Sequence, residues 1–409
     1  MKRLNFSLLL ISSFLFAAAV LTGCKREPTP TPSEPAYEVS LSDIHVNDPI
    51  SITKNSIGFK KLVFTYPTKN VAGETVRASA IMLIPSSIYN AAEKPKLDYM
   101  VLSSHGATTN PNEVPSYGDK TEQLEHLIGS RNAVGIAADY IGFGESSEQL
   151  QAFAYGDLNA MTSLDAVICA RKWLESQGYT WEDKLANAGF SQGGQTAMHV
   201  QKLVDTTAYG SLVNVTKTFA GGGCYDMVTM VDCSIDGYNP PLMPSVIWLG
   251  IASYNSLSNM GYSLDTIFKD ADHIQDLLDK EADLSTGMMQ AWSTSLQPDM
   301  LNPDSALRNG IRQKTASFNC KFTPKTTSKI LMFSDSHDDV VPTENSDDLF
   351  SYFNSQDFTM TRIESAEQAD FSQDNVYIRY STGTYGTGCH RTAGSDFYTG
   401  VATELQRNW

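Results

Sequence analysis

The sequence predicts an α/β fold: a mostly parallel central sheet with helices on both faces and a helical cap inserted before a late strand. Three observations carry this. From about residue 36, short apolar runs alternate with longer helical stretches, the order that builds a parallel sheet through crossover connections. The run 132–139 is apolar almost throughout, as a strand covered on both faces must be. The interval from Gly223 to about Lys325 holds helical stretches but no strong strand pattern.

The elements follow in order. Strands over 61–66 and 76–84 are expected to form an antiparallel pair. Strands over 98–104, 132–139, 185–188, 215–220, 329–334 and 376–380 supply the rest of the sheet. Helices are expected over 120–128, 158–177 and 195–206, over 267–282 and 287–295 in the cap, and from Phe397 at the C-terminus. The folded domain is expected over 37–409, with the cap at about 225–325.

At 409 residues the chain has room for one large α/β domain with an insertion, or for two ordinary domains. With 41% hydrophobic and 19% charged residues it groups with globular rather than disordered chains. A formal net charge of -16 argues against nucleic acid, whose phosphates require a basic face, and against electrostatic docking on anionic lipid.

The N-terminus reads as a targeting segment. Lys2 and Arg3 precede an apolar run from Leu8 to Leu21, which ends in Leu21-Thr22-Gly23-Cys24. This resembles a bacterial lipoprotein signal, which implies removal of residues 1–23 and acylation of Cys24. An uncleaved transmembrane helix is the alternative. Residues 24–36 are rich in Pro, Glu and Thr and read as a tether without a core. The domain is then expected outside the cytoplasm, at the outer membrane or cell surface, touching the membrane through its lipid anchor only.

Five of the 6 cysteines follow Cys24, an odd number that leaves at least one thiol free. Cys169 lies in a helical pattern and reads as core. Cys224 with Cys233, and Cys320 with Cys389, are sensible pairs, the second tying the base of the cap to a late histidine loop; spacing leaves connectivity open. No spacing matches a zinc site, and no cofactor or metal is expected.

Gly189-Phe190-Ser191-Gln192-Gly193 matches the pattern G-x-S-x-G between a short apolar strand and a helix. A serine on such a turn projects its hydroxyl away from the sheet, while flanking glycines let the backbone pass tightly. The helix aims its N-terminus at the site, so the Gln192 N–H is placed to hold a developing oxyanion. Ser191 is therefore a candidate nucleophile, and a nucleophilic serine needs a base. Of the 7 histidines, His273, His337 and His390 follow Ser191 by enough to occupy a separate loop. His273 lies in the cap and His337 in an aspartate-rich loop. His390 alone sits on a glycine-rich turn after the final strand.

These features resemble the α/β-hydrolase superfamily, closest to its secretory lipase and esterase branch. The resemblance covers about 59–405. Other segments that carry it are His105-Gly106-Ala107, Asp139-Tyr140-Ile141-Gly142-Phe143-Gly144, and Ala220-Gly221-Gly222-Gly223-Cys224-Tyr225-Asp226, where that branch often has Pro at the position of Cys224. The loop Asp335-Ser336-His337-Asp338-Asp339-Val340-Val341-Pro342 belongs with them. The resemblance implies a serine hydrolase of carboxylic esters with Ser191, Asp338 and His390 as a triad in the order Ser…Asp…His. Asp339, then Asp335, stand as alternatives for the acid. It also implies that the Ala107 N–H completes an oxyanion hole with that of Gln192. His105 is expected to hold its loop by hydrogen bonds, and Asp139 and Tyr140 to shape the site without reacting. The expected partner is a small-molecule ester.

This fold also hosts other activities. The segment before the oxyanion strand is too short for the β-propeller of a prolyl-oligopeptidase-type enzyme, and a serine at 191 excludes the dehalogenase route. A small serine peptidase and a non-catalytic glycan- or lipid-binding lipoprotein remain as other readings. In the cap, Trp248, Tyr254, Tyr262, Met288, Met289 and Trp292 either line an acyl pocket or form cap core.

Overall fold

The structure, a computed structural model, describes residues 39–118, 121–236, 244–282, 284 and 295–409. Residues 1–23, read as a leader, Cys24 and the expected tether 24–36 lie outside the described residues, as do Met288, Met289, Trp292 and nearly all of the stretch 287–295.

The strands are β1 (His45–Val46), β2 (Ile50–Lys54), β3 (Ile57–Lys69), β4 (Thr75–Pro85), β5 (Lys96–Leu97), β6 (Tyr99–Ser104) and β7 (Ala133–Ala138). They continue with β8 (Thr180–Trp181), β9 (Leu185–Phe190), β10 (Val215–Gly221), β11 (Ile330–Asp335), β12 (Thr361–Ile363) and β13 (Val376–Tyr380). The main sheet runs β1-β3-β4-β7-β6-β9-β10-β11-β13-β12, with β2 also on β3; β5 and β8 form a separate pair. β3 and β4 are the expected antiparallel pair, registered Phe64 to Ala80 and Thr65 to Ser79. From β7 to β12 every pairing is parallel.

The strand order places the site. β6 lies between β7 and β9, so the chain leaves β6 on one side and later enters β9 on the other. Connections diverge there, and in open α/β sheets such a point, beyond the carboxyl ends of the strands, is where ligands bind.

The strands are apolar because both faces are covered. β6, β7, β9 and β11 are buried at every position. On one face Phe64, Ile136 and Leu102 pack with Leu164 of α2 (Gly156–Ser176) and Val200 of α3 (Gln192–Thr206). On the other, Val101, Phe219 and Phe333 pack with Leu127 of α1 (Glu122–Ile128) and with Phe397 and Val401 of the C-terminal helix. A buried aromatic such as Phe397 contributes about 3–5 kcal/mol relative to Ala. Between β10 and β11 the described residues form helices α4 (Met227–Asp236), α5 (Pro244–Leu257), α6 (Ala271–Leu278) and α7 (Ala306–Thr315), joined to the first cluster through Trp248, Tyr254 and Leu277.

Several expectations are corrected. The stretch 267–282 is not one helix: a turn, Leu264–Ile267, precedes α6, whose start is capped by Asp270 accepting from the His273 N–H at 3.3 Å. Helix α8 (Thr343–Ser355) was not expected; it starts directly after Pro342. The last helix, α9 (Cys389–Asn408), begins before Phe397, so His390 stands in a helical first turn rather than on a loop. Its early start has a long-range cause, the Asp339 carboxylate described below. The paired cysteines also fail. Cys224, Cys320 and Cys389 are free thiols, as is Cys169 in the core. Cys224 and Cys320 belong to different apolar clusters, and the Cys389 thiol donates to the Thr384 carbonyl at 3.2 Å.

Candidate active site

β9 ends at Phe190, and Ser191 turns the chain into α3 with φ +61° and ψ -127°. That conformation is strained for a residue with a Cβ and persists because its surroundings over-determine it. The Ser191 N–H donates to the Gly221 carbonyl at 2.9 Å, and its own carbonyl accepts the Gln195 N–H at 3.1 Å. A Cβ at position 189 would lie 2.1 Å from the Gly193 carbonyl oxygen, and one at 193 would lie 2.1 Å from that of Ser104. Both motif glycines are thus required by close backbone approach. Gly193→Ala is expected to destabilise the fold by about 3 kcal/mol or more, because the clash is with backbone. A melting temperature equal to that of the unaltered protein would contradict this.

The loop after β6 runs alongside. A Cβ on Gly106 would sit 4.0 Å from that of Ser191. The Ala107 N–H has no hydrogen-bond partner among the described residues. Gln192 is the first residue of α3, where an N–H has no intrahelical acceptor. Unengaged backbone donors therefore flank Ser191 from β6 and from α3. His105 holds this loop: its Nδ1 lies 2.8 Å from the Gly106 carbonyl and its Nε2 3.3 Å from that of Asp139. Burial keeps its pKa below the ordinary histidine value. Its ring stacks on Tyr140 at 4.1 Å, and the Tyr140 hydroxyl donates to the His105 carbonyl at 3.1 Å. Tyr140 does this from φ +68°. Asp139 accepts from the Ser116 N–H at 2.8 Å and from the Ser79 hydroxyl at 2.5 Å, a structural role.

His390 meets this turn from α9. Its ring packs on Phe190 at 4.9 Å, and a Cβ on Gly222 would lie 3.4 Å from its Cε1. Its Nδ1 is 2.7 Å from Asp338 Oδ2, and its Nε2 is buried with no partner among the described residues. No hydrogen bond joins Nε2 to Ser191 Oγ; such contacts often close only around substrate. Burial disfavours the imidazolium. The Asp338 charge and hydrogen bond, with the charges of Asp339 and Asp335, outweigh it and raise the His390 pKa above its ordinary value.

The three aspartates divide the work. Asp338 faces the imidazole and is itself oriented by the Val340 and Val341 N–H groups, which donate to Oδ1 at 2.9 and 2.8 Å. Asp339 accepts from the Gly388, Cys389 and His390 N–H groups at 2.8, 3.2 and 3.1 Å. Asp335 accepts from the His337 and Thr382 N–H groups, both at 2.7 Å, and ties the two loops together. Sequence reasoning ranked these residues as rivals for one role. The hydrogen bonds of Asp339, and that of Asp335 from Thr382, run to segments about fifty residues away, which no local pattern reveals.

A latch went unforeseen. Thr109, two residues beyond Ala107, donates to the Ala282 carbonyl at 2.8 Å and accepts the Leu284 N–H at 3.1 Å. The Lys280 ammonium donates to the Gly142 and Ser147 carbonyls at 2.7 and 3.0 Å. Of the aromatic residues weighed as pocket or core, Trp248 and Tyr254 are buried in the main cluster, and the Tyr254 hydroxyl donates to the Ala154 carbonyl at 2.5 Å. They are core. Tyr262 is half-buried, with the Lys314 ammonium over its ring at 5.2 Å. A groove of about 460 Å³ lies elsewhere, lined by Lys54, Glu122, His126 and Tyr398 among others, away from Ser191, Asp338 and His390. Chemistry, not size, selects the Ser191 turn as the candidate site.

No protein-family model and no curated protein sequence matches the chain. Solved structures do. The rice cell wall degrading esterase LipA from Xanthomonas oryzae is similar at a TM-score of 0.70 with 19% identity, over 90% of this chain and 99% of that one. Lipase A from Candida antarctica in its closed state is similar at a TM-score of 0.58 with 12% identity, over 88% of this chain and 83% of that one. At such identities the likeness speaks to architecture, and with the sheet order and flanking helices it establishes that the chain adopts the α/β-hydrolase fold.

Proposed function

We propose that the protein is a serine hydrolase that cleaves carboxylic esters through an acyl-enzyme on Ser191. The observation that carries this is the 2.7 Å contact between Asp338 and His390, whose ring packs against the residue preceding Ser191. In the proposed reaction His390 Nε2 takes the Ser191 proton as Oγ attacks the ester carbonyl. The Ala107 and Gln192 amides hold the resulting oxyanion, each contributing about 2.7–4 kcal/mol of transition-state stabilisation. His390 returns the proton to the departing alcohol. Water, deprotonated by His390, then attacks the acyl-enzyme, and His390 passes that proton to Ser191 Oγ as the acid departs. Asp338 keeps the Nδ1–H tautomer and stabilises the imidazolium.

The esterases and lipases among the similar structures favour an ester substrate. We further propose that Cys24 carries the lipid and holds the enzyme outside the cytoplasm, its membrane contact confined to that anchor. The test is a panel of p-nitrophenyl esters of increasing acyl length beside the matching p-nitroanilides. Turnover of esters with little of the anilides is expected. Preference for the anilides would make the protein a peptidase or amidase.

A further inference from the structure

We propose that Asp339 is a positioning residue for His390: it fixes the backbone of the base while Asp338 fixes its ring, and its charge supports the imidazolium formed in the reaction. This rests on the reading of Ser191, Asp338 and His390 as a triad.

The geometry comes first. Asp339 is buried, and its two oxygens take three successive amides: Oδ2 those of Gly388 and Cys389, Oδ1 that of His390. These are donors that a helix start leaves unsatisfied. Gly388, in the left-handed region at φ +81°, offers no side chain to meet them. A carboxylate from a distant loop therefore takes the place of an N-cap, and charge-assisted hydrogen bonds are roughly twice as strong as neutral ones. Consecutive residues of one loop thus grip the same histidine, one at Nδ1 and one at the main-chain N. The loop is itself rigid, because the Val340 and Val341 amides bind Asp338 and the Thr382 amide binds Asp335.

Capping alone does not call for a charge. Asn and Ser cap helices as well as Asp does, without the desolvation cost of a buried carboxylate beside a second one. The charged groups that act most strongly on His390 among the described residues are Asp338, Asp339 and Asp335, all on this loop. The sides formed by β9 and by the turn after β10 present Phe190 and Gly222, which carry none. Asp339 is thus an additional negative charge placed to favour a protonated His390.

The test compares Asp339→Asn and Asp339→Ser, which keep a capping acceptor and remove the charge, with the unaltered full chain. The readouts are kcat/KM for p-nitrophenyl acetate against pH, and thermal melting. Both variants should melt cooperatively. The ascending limb of the profile should move down by about one pH unit, and its plateau should fall roughly tenfold. A plateau that falls over an unmoved limb, or failure of both variants to fold, would make Asp339 a cap only and overturn the proposal. Hydrolysis that survives Ser191→Ala would instead discard the triad and this role with it, an outcome separable because it is read on the Ser191 variant alone.

Discussion

Ser191→Ala is expected to lower ester turnover by a factor of about 10⁶ and to abolish labelling by a fluorophosphonate probe. The size of the effect follows from what the residue supplies in the proposed reaction: the oxygen that forms the bond to the acyl carbon. The fold should survive. Ser191 Oγ makes no hydrogen bond to the described residues, so its removal breaks none. Alanine inherits the φ of +61°, and the backbone bonds to Gly221 and Gln195 are unchanged. Thermal melting should stay within a few degrees. Labelling that persists in the variant would place the nucleophile elsewhere.

Asp338→Asn is expected to lower kcat by a factor of about 10⁴ with little change in stability. The reason lies in the orientation of the side chain. Val340 and Val341 donate to Oδ1, so an asparagine must keep its carbonyl oxygen there. Its NH₂ group is then turned to His390 Nδ1, which must act as acceptor. The imidazole is driven into the tautomer with its proton on Nε2, where it cannot take the proton of Ser191. The pH profile should report this. Asp338 is among the groups that hold the His390 pKa up, so its loss moves the ascending limb to lower pH, and raising the pH does not recover the rate. Activity near the unaltered level at neutral pH, or a limb moved upward, would refute Asp338 as the acid.

The sheet was readable in the sequence because burial on both faces writes apolar runs. All the expected strands form, within a residue or two for most, since β6, β7, β9 and β11 have no solvated face to interrupt them. The peripheral β1, β2 and β12 were not readable. They are short, and β2 is exposed at most positions, so no burial pattern marks them. At the site, the Ser191 turn announces itself because it needs glycines within a few residues. The division of labour among Asp335, Asp338 and Asp339 does not, because each is defined by a partner far along the chain. The same holds for the start of α9, set by Asp339 rather than by any residue of the helix. The cysteines mislead because a count and a spacing carry no distances; the Cys320 and Cys389 thiols are each buried in separate surroundings.

The bonds from Thr109 to residues 282 and 284 bear on how far the loop after β6 can fluctuate. Local opening in proteins occurs in cooperative units, and hydrogen bonds shared between segments merge them into one. The Ala107 donor belongs to such a unit with the helical insertion, whereas the Gln192 donor belongs to the far more deeply buried start of α3. The two amides proposed to hold the oxyanion therefore differ in thermodynamic stiffness. A disturbance of the insertion reaches the reaction through one amide and leaves the other in place.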